Sequence, residues 1–172
     1  KPVYLVVMAL LMAVPLMVLK RSFGHRPHYP FSSKGLPQGV AQFLKTVDVG
    51  GNVLSHPDSS GYLQWMIAPR YRILMDLESN VFTAEDFYVG INAFSDGMVL
   101  KAVLSQYDPS FISVPIHLAR FRDLIRPFPD YVQVFFDDAE VLYVNQHRYP
   151  SIAQRYALRA DPFSLFTQPI EA

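Results

Sequence analysis

Residues 52–77 read NVLSHPDSSGYLQWMIAPRYRILMDL, and the change of pattern within this stretch decides the fold class. Asn52 to Ser55 is a short strand, and His56-Pro57-Asp58-Ser59-Ser60-Gly61 is a turn rich in capping residues. A helix runs from about Gly61 to Ile67 until Pro69 stops it, and Arg72 to Leu77 is a second strand. Asp58 or Ser59 is the expected cap, because a short side-chain oxygen can accept from the orphan amides of the first helical turn. Ile73, Leu74 and Met75 form a continuous apolar run of the kind buried on both faces of a sheet.

The same alternation continues downstream. Thr83-Ala84-Glu85-Asp86 has the spacing of a capping box, with Asp in place of the preferred Glu or Gln. Phe87, Ile91 and Phe94 share a helical face, Ser95-Asp96-Gly97 interrupts, and Met98 to Gln106 resumes with Val99, Ala102 and Val103. Phe111 to Val114 is a third strand, and His117 to Ile125 reads as a helix with Leu118, Phe121, Leu124 and Ile125 inward. Val132 to Phe136 and Glu140 to Val144 are two strands joined tightly through Asp137-Asp138-Ala139.

Right-handed crossovers make the first four strands largely parallel, while the short last connection forces an antiparallel return. The expected fold is an α/β three-layer α/β/α sandwich, with a mostly parallel five-stranded sheet closed by an antiparallel hairpin. Upstream, Val40, Phe43, Leu44 and Val47 lie on one face of a short helix from Gln38 to Val47, ended by Gly50-Gly51.

Val3 to Leu19 is an uncharged apolar run closed by Lys20 and Arg21. Its seventeen residues (3 through 19) reach roughly 25 Å as a helix, against a hydrocarbon core of about 30 Å. It has neither a polar face nor a small-residue cleavage pattern, which sets it apart from a core helix and from a signal peptide. The expected organisation is a transmembrane helix at 1–21, a linker at 22–37 carrying Pro27, Pro30 and Pro37, and a soluble α/β domain at 38–172.

Lys plus Arg and Asp plus Glu both number 15, so the formal charge of zero offers no electrostatic footprint for nucleic acid. The absence of cysteine excludes disulfides and thiolate metal sites. Open α/β sheets bind ligands beyond the carboxyl ends of their strands. That rule singles out His56, Asp58 and Ser59 after the first strand, Tyr62 on the helix that follows, and Asp76 and Glu78 at the end of the second strand. A histidine with carboxylates could hold a divalent cation or move protons, but helix capping and polar strand ends account for the same residues. The expectation is therefore a candidate ligand-binding set with no catalytic residues, no metal and no cofactor, and the question of enzymatic activity stays open. His25 and His28 are read as solvated linker residues, and Asp137, Asp138 and Glu140 as hairpin residues. Trp65 and Tyr62 are read as packing the core side of their helix in preference to a sugar platform.

The stretches Asn52–Trp65 and Pro69–Asp76, then Pro109–Pro115, Pro129–Asp137 and Glu140–Val144, resemble the C-terminal extracytoplasmic domain of bacterial GT-C-type membrane glycosyltransferase-like proteins. Leu77-Glu78 stands where that pattern often has Gly-Arg, and a single glycine precedes Tyr62. The resemblance implies a non-catalytic accessory domain outside the cytoplasm. Catalytic carboxylates are expected between membrane helices upstream, and the implied partners are the lipid bilayer and those helices or other membrane subunits. The alternative is a single-helix anchored subunit whose domain docks onto a larger membrane complex. Lys20, Arg21 and Arg26 flank the apolar run on the domain side and argue for the opposite orientation by the positive-inside rule. The reading adopted places the domain in the periplasm or otherwise outside.

Overall fold

The computed structural model describes residues 8, 11–18, 20, 35–74 and 83–165 of the 172-residue chain, which divides into two units, Lys1–Ser33 and Lys34–Ala172. In the first unit, residues 11–18 are helical, with Leu11, Met12, Leu16 and Met17 exposed. Residues 1–7, 9, 10, 19 and 21–34, and with them much of the apolar run and the linker residues His25 and His28, lie outside the described residues. Among the described residues no single helix is long and apolar enough to cross a membrane.

The second unit is a mixed α/β domain. In chain order it contains α1 (Gln38–Val47), β1 (Gly51–Ser55), α2 (Pro57–Ile67), β2 (Tyr71–Ile73), α3 (Ala84–Asn92), α4 (Gly97–Tyr107), β3 (Phe111–Pro115), α5 (Phe121–Ile125), β4 (Tyr131–Phe136), β5 (Glu140–Asn145), α6 (Pro150–Tyr156) and α7 (Pro162–Leu165). The five strands form one open sheet of order β2-β1-β3-β5-β4.

The sheet is mixed, which corrects the expectation of a mostly parallel one. β1 pairs in parallel with β2 and β3, whereas β5 pairs antiparallel with both β3 and β4. β4 keeps the direction of the first three strands, but β5 inserts between it and β3. The reason lies in composition. Every residue of β5 is buried, so Val141-Leu142-Tyr143-Val144 takes the interior, while β4 with its half-buried Gln133 becomes an edge.

Helices cover both faces. On one face Val40, Ala41 and Leu44 of α1, Leu63 and Ile67 of α2, and Ile152 and Ala153 of α6 pack on Val53, Tyr71, Phe111, Leu142 and Val144. On the other, Leu100, Val103 and Leu104 of α4, Phe121 and Ile125 of α5, and Phe163 of α7 pack on Leu54, Ile112, Val114, Val141 and Tyr143. Tyr71 also ties α1 to the sheet, donating to the Leu44 carbonyl at 2.7 Å and accepting from the Val49 amide at 3.2 Å. Gly51, at φ +123°, has no room for a side chain, since a Cβ there would stand 2.5 Å from Ser110 Oγ.

Two helices, one strand and one side chain differ from expectation: β2 is the short Tyr71–Ile73, with Ile73 and Leu74 half-buried and Met75 and Leu77 outside the described residues. α2 begins at Pro57 instead of Gly61, because proline is preorganised for the first helical position. α5 is confined to Phe121–Ile125, with turns from Ile116 onward in place of a helix starting at His117. Trp65 is 77% exposed and lies outside the core, while Tyr62 beside it is half-buried against that core.

Candidate functional site at the strand ends

β1 ends at Ser55 and the chain turns through His56 straight into α2. His56, not Asp58 or Ser59, is the cap: its Nδ1 accepts from the Asp58 amide at 3.3 Å. Pro57 fills the first helical position, so the capping role falls on the residue before it. The His56 ring is mostly buried and stands edge-on to Phe94 at 5.3 Å. Burial lowers its proton affinity below the ordinary 6.5; Asp58, 3.4 Å away, opposes that, and His117 adds to it. Ser59 and Ser60 turn their hydroxyls back onto the carbonyls of His56 (3.1 Å) and Pro57 (2.8 Å).

The structure therefore brings His56, Asp58, Ser59 and Tyr62 together on the first turns of α2. Asp76 and Glu78 lie outside the described residues. Among the described residues, no group of three His, Cys, Asp or Glu side chains is placed to hold a metal ion.

A second polar group meets this turn from the sheet. Ser55 and Ser113 are register partners on β1 and β3, and Glu140 stands opposite Pro115 on β5. Alternation along the strands puts all three side chains on the face that α2 covers. Glu140 is 1% exposed; its Oε2 accepts a short hydrogen bond from Ser113 Oγ, while Oε1 has no partner. Ser55 Oγ is likewise buried without one. Burial pushes the Glu140 carboxyl up to about 7 against the pull of the Ser113 and Ser59 hydroxyls, and Asp137 pushes it in the same direction as burial.

Asp137 is more than a hairpin residue. Its Oδ1 accepts from the amides of Ala139 (2.9 Å) and Glu140 (2.8 Å), closing the β4–β5 turn. Its Oδ2 accepts from the Val40 amide at 3.1 Å, 97 residues away. Pro37 precedes α1 without a side-chain cap, so the hairpin supplies one. Gly39 permits the approach, since a Cβ there would stand 2.9 Å from Asp137.

A cavity lies elsewhere. A cleft of about 410 Å³ lies over the other face of the sheet, between Leu54 and Leu74 below and Val89 and Val103 above, with Glu85 and Asp86 on its rim. Asp86 is committed to the capping box, accepting from the Thr83 amide at 2.7 Å. The polar cluster under α2 and this mixed polar and apolar cleft are thus separate features. The fold and site define a mixed α/β domain with a buried acid beneath a helix N-terminus. No family model, curated protein or solved structure matches the chain.

Proposed function

We propose that this is a non-catalytic, extracytoplasmic accessory domain of a membrane glycosyltransferase-like protein, tethered to the bilayer by the apolar run at 1–21. The observation that carries the non-catalytic part is the commitment of the strand-end side chains. His56 caps α2, the Ser59 and Ser60 hydroxyls satisfy local carbonyls, and both oxygens of Asp137 hold backbone amides. Groups that an open α/β sheet usually presents to a ligand are spent here on closing the fold. The resemblance of 52–144 to the GT-C-type C-terminal domains supports the association and the location.

A second reading, a single-helix subunit that docks onto a larger membrane complex, is favoured by the 77% exposure of Trp65 beside Tyr62, an aromatic pair of the kind enriched at interfaces. Intact-mass measurement of the native product, combined with protease accessibility in sealed vesicles, separates the two. A mass far above 19.6 kDa with the domain outside supports the accessory-domain reading, and a mass near 19.6 kDa supports the docked subunit. A domain cleaved solely from the cytoplasmic side overturns the extracytoplasmic assignment.

A further inference from the structure

We propose that Glu140 is a proton-operated latch beneath the N-terminus of α2: its neutral carboxyl keeps the Pro57–Ser60 turn seated on the sheet, and loss of the proton loosens that turn. Glu140 opens β5, where the strand ladder fixes it next to Pro115 and on the face that carries Ser55 and Ser113. α2 closes that face, with Pro57, Ser59 and Ser60 all buried over it. The carboxyl group is thus walled by two strands and a helix start; Ser113 Oγ donates to Oε2, the Ser59 hydroxyl of the α2 turn also acts on it, and Oε1 has no partner.

An ionised carboxylate in such a place wants several donors or a cation, and a buried charge lacking them is costly. The groups that act on it are few. From β3 and α2 come the neutral hydroxyls of Ser113 and Ser59, and from the β4–β5 turn comes Asp137, a carboxylate that opposes ionisation. α1 contributes the Val40 amide, already bonded to Asp137. His56 starts α2, but its ring packs on Phe94 and answers to Asp58 and His117. Tyr62, one turn further along α2, is pushed up by burial and by Asp137 and so stays a neutral phenol. Among the described residues, no cation is one of the groups acting on Glu140.

The direction of the pH dependence follows. The folded protein holds the Glu140 proton up to about 7, whereas the ordinary value is 4.5. The stabilisation relative to the charged form is fully present below about 4.5 and is lost as pH rises through about 7. Relief by water entry is easiest at the helix start, because the opposite side of the carboxyl is closed by the interior strands. α2 carries the exposed Trp65, so the latch sets the order of the helix that presents this side chain.

Hydrogen exchange of the full chain, corrected for intrinsic rates and read for the amides of residues 58–61, tests the proposal. Between about pH 6 and about pH 8.5 protection of this turn should fall on the order of tenfold, with β3 and β5 unchanged. Glu140→Gln should abolish the fall and His56→Asn should retain it. A fall that persists in Glu140→Gln, or its absence in the unsubstituted chain, overturns the latch. Carbon NMR titration of the Glu140 carboxyl needs no variant: a midpoint near 7 is expected, and a midpoint in the ordinary carboxylate range defeats the idea.

Discussion

On β3, Phe111 and Ser113 point to the face covered by α1, α2 and α6, whereas Ile112 and Val114 point to the face covered by α4, α5 and α7. The second face stays apolar to the strand end, where Val114 lies beside Val141. The first changes chemistry halfway along: Phe111, Val53 and Leu142 give way to Ser113, Ser55 and Glu140. The same strands therefore carry an ordinary core on one side and, on the other, a core with a polar end directly under a helix start. The difference locates where this domain trades packing for polar groups that have to be satisfied.

The comparison breaks first if the polar end weakens the whole of its face. Phe111 and Phe121 are fully buried counterparts on the two faces. Phe111→Ala and Phe121→Ala should each cost about 3–5 kcal/mol in denaturant unfolding, as truncation of a buried aromatic does. A much smaller loss for Phe111→Ala would mean that the face bearing Glu140 is loosely packed throughout. Equal losses would confine the polar departure to the strand end.

Helix capping sharpens the contrast between local and remote design. α4 is capped from within its own sequence, Asp96 Oδ1 accepting from Met98 at 2.7 Å and Val99 at 3.3 Å. α1 is capped by Asp137, which also holds the hairpin turn. Asp137→Ala should cost about 2 kcal/mol and Asp96→Ala about 1 kcal/mol, while Asp138→Ala on the exposed side of the same turn stays within about 0.5 kcal/mol. Hydrogen exchange at the start of α1 reports the first loss directly. Thermal unfolding of all three variants ranks them.

This contrast also explains what could be read from the residues in order. The Thr83–Asp86 capping box, the break at Ser95–Gly97 ahead of α4 and the Asp137–Ala139 hairpin are written within a few positions of one another, and each is present, whereas α1 is ended by Asp48 in the left-handed conformation, before Gly50-Gly51 is reached. The Asp137–Val40 bond joins positions 97 apart, and the place of β5 depends on which strand competes best for the interior. Neither has a local signature. His56 was legible as a strand-end residue but not as the cap, because the preference of Pro57 for the first helical turn outweighs the better intrinsic capping of Asp58 and Ser59. Trp65 has a large apolar ring, which argued for burial, yet it falls on the outward side of α2 while Leu63 and Ile67 take the inward one. Glu140 resembled a turn carboxylate because the alternation that turns it inward depends on pairing with β3.

The smallest effects belong to the rim of the polar end, where His56 and Glu140 respond oppositely to pH. The folded-state affinity of His56 for its proton lies below the ordinary 6.5 because burial dominates. Its contribution to stability is therefore complete above about 6.5 and is lost as pH falls through the lower folded value. Protonation also consumes the Nδ1 lone pair that accepts from the Asp58 amide. His56→Asn should keep the cap, cost less than about 0.5 kcal/mol near neutrality and remove this acid-side loss, whereas His56→Ala should cost about 1 kcal/mol. Asp58, whose side chain is 76% exposed, contributes little as an ion-pair partner, so Asp58→Asn should change stability by at most about 0.5 kcal/mol. Its effect is sharper in titration. Asp58 raises the His56 proton affinity, and its neutralisation should move the His56 NMR midpoint to lower pH. A midpoint that stays in place would show that solvent screens the pair completely and that the cap alone connects these two residues.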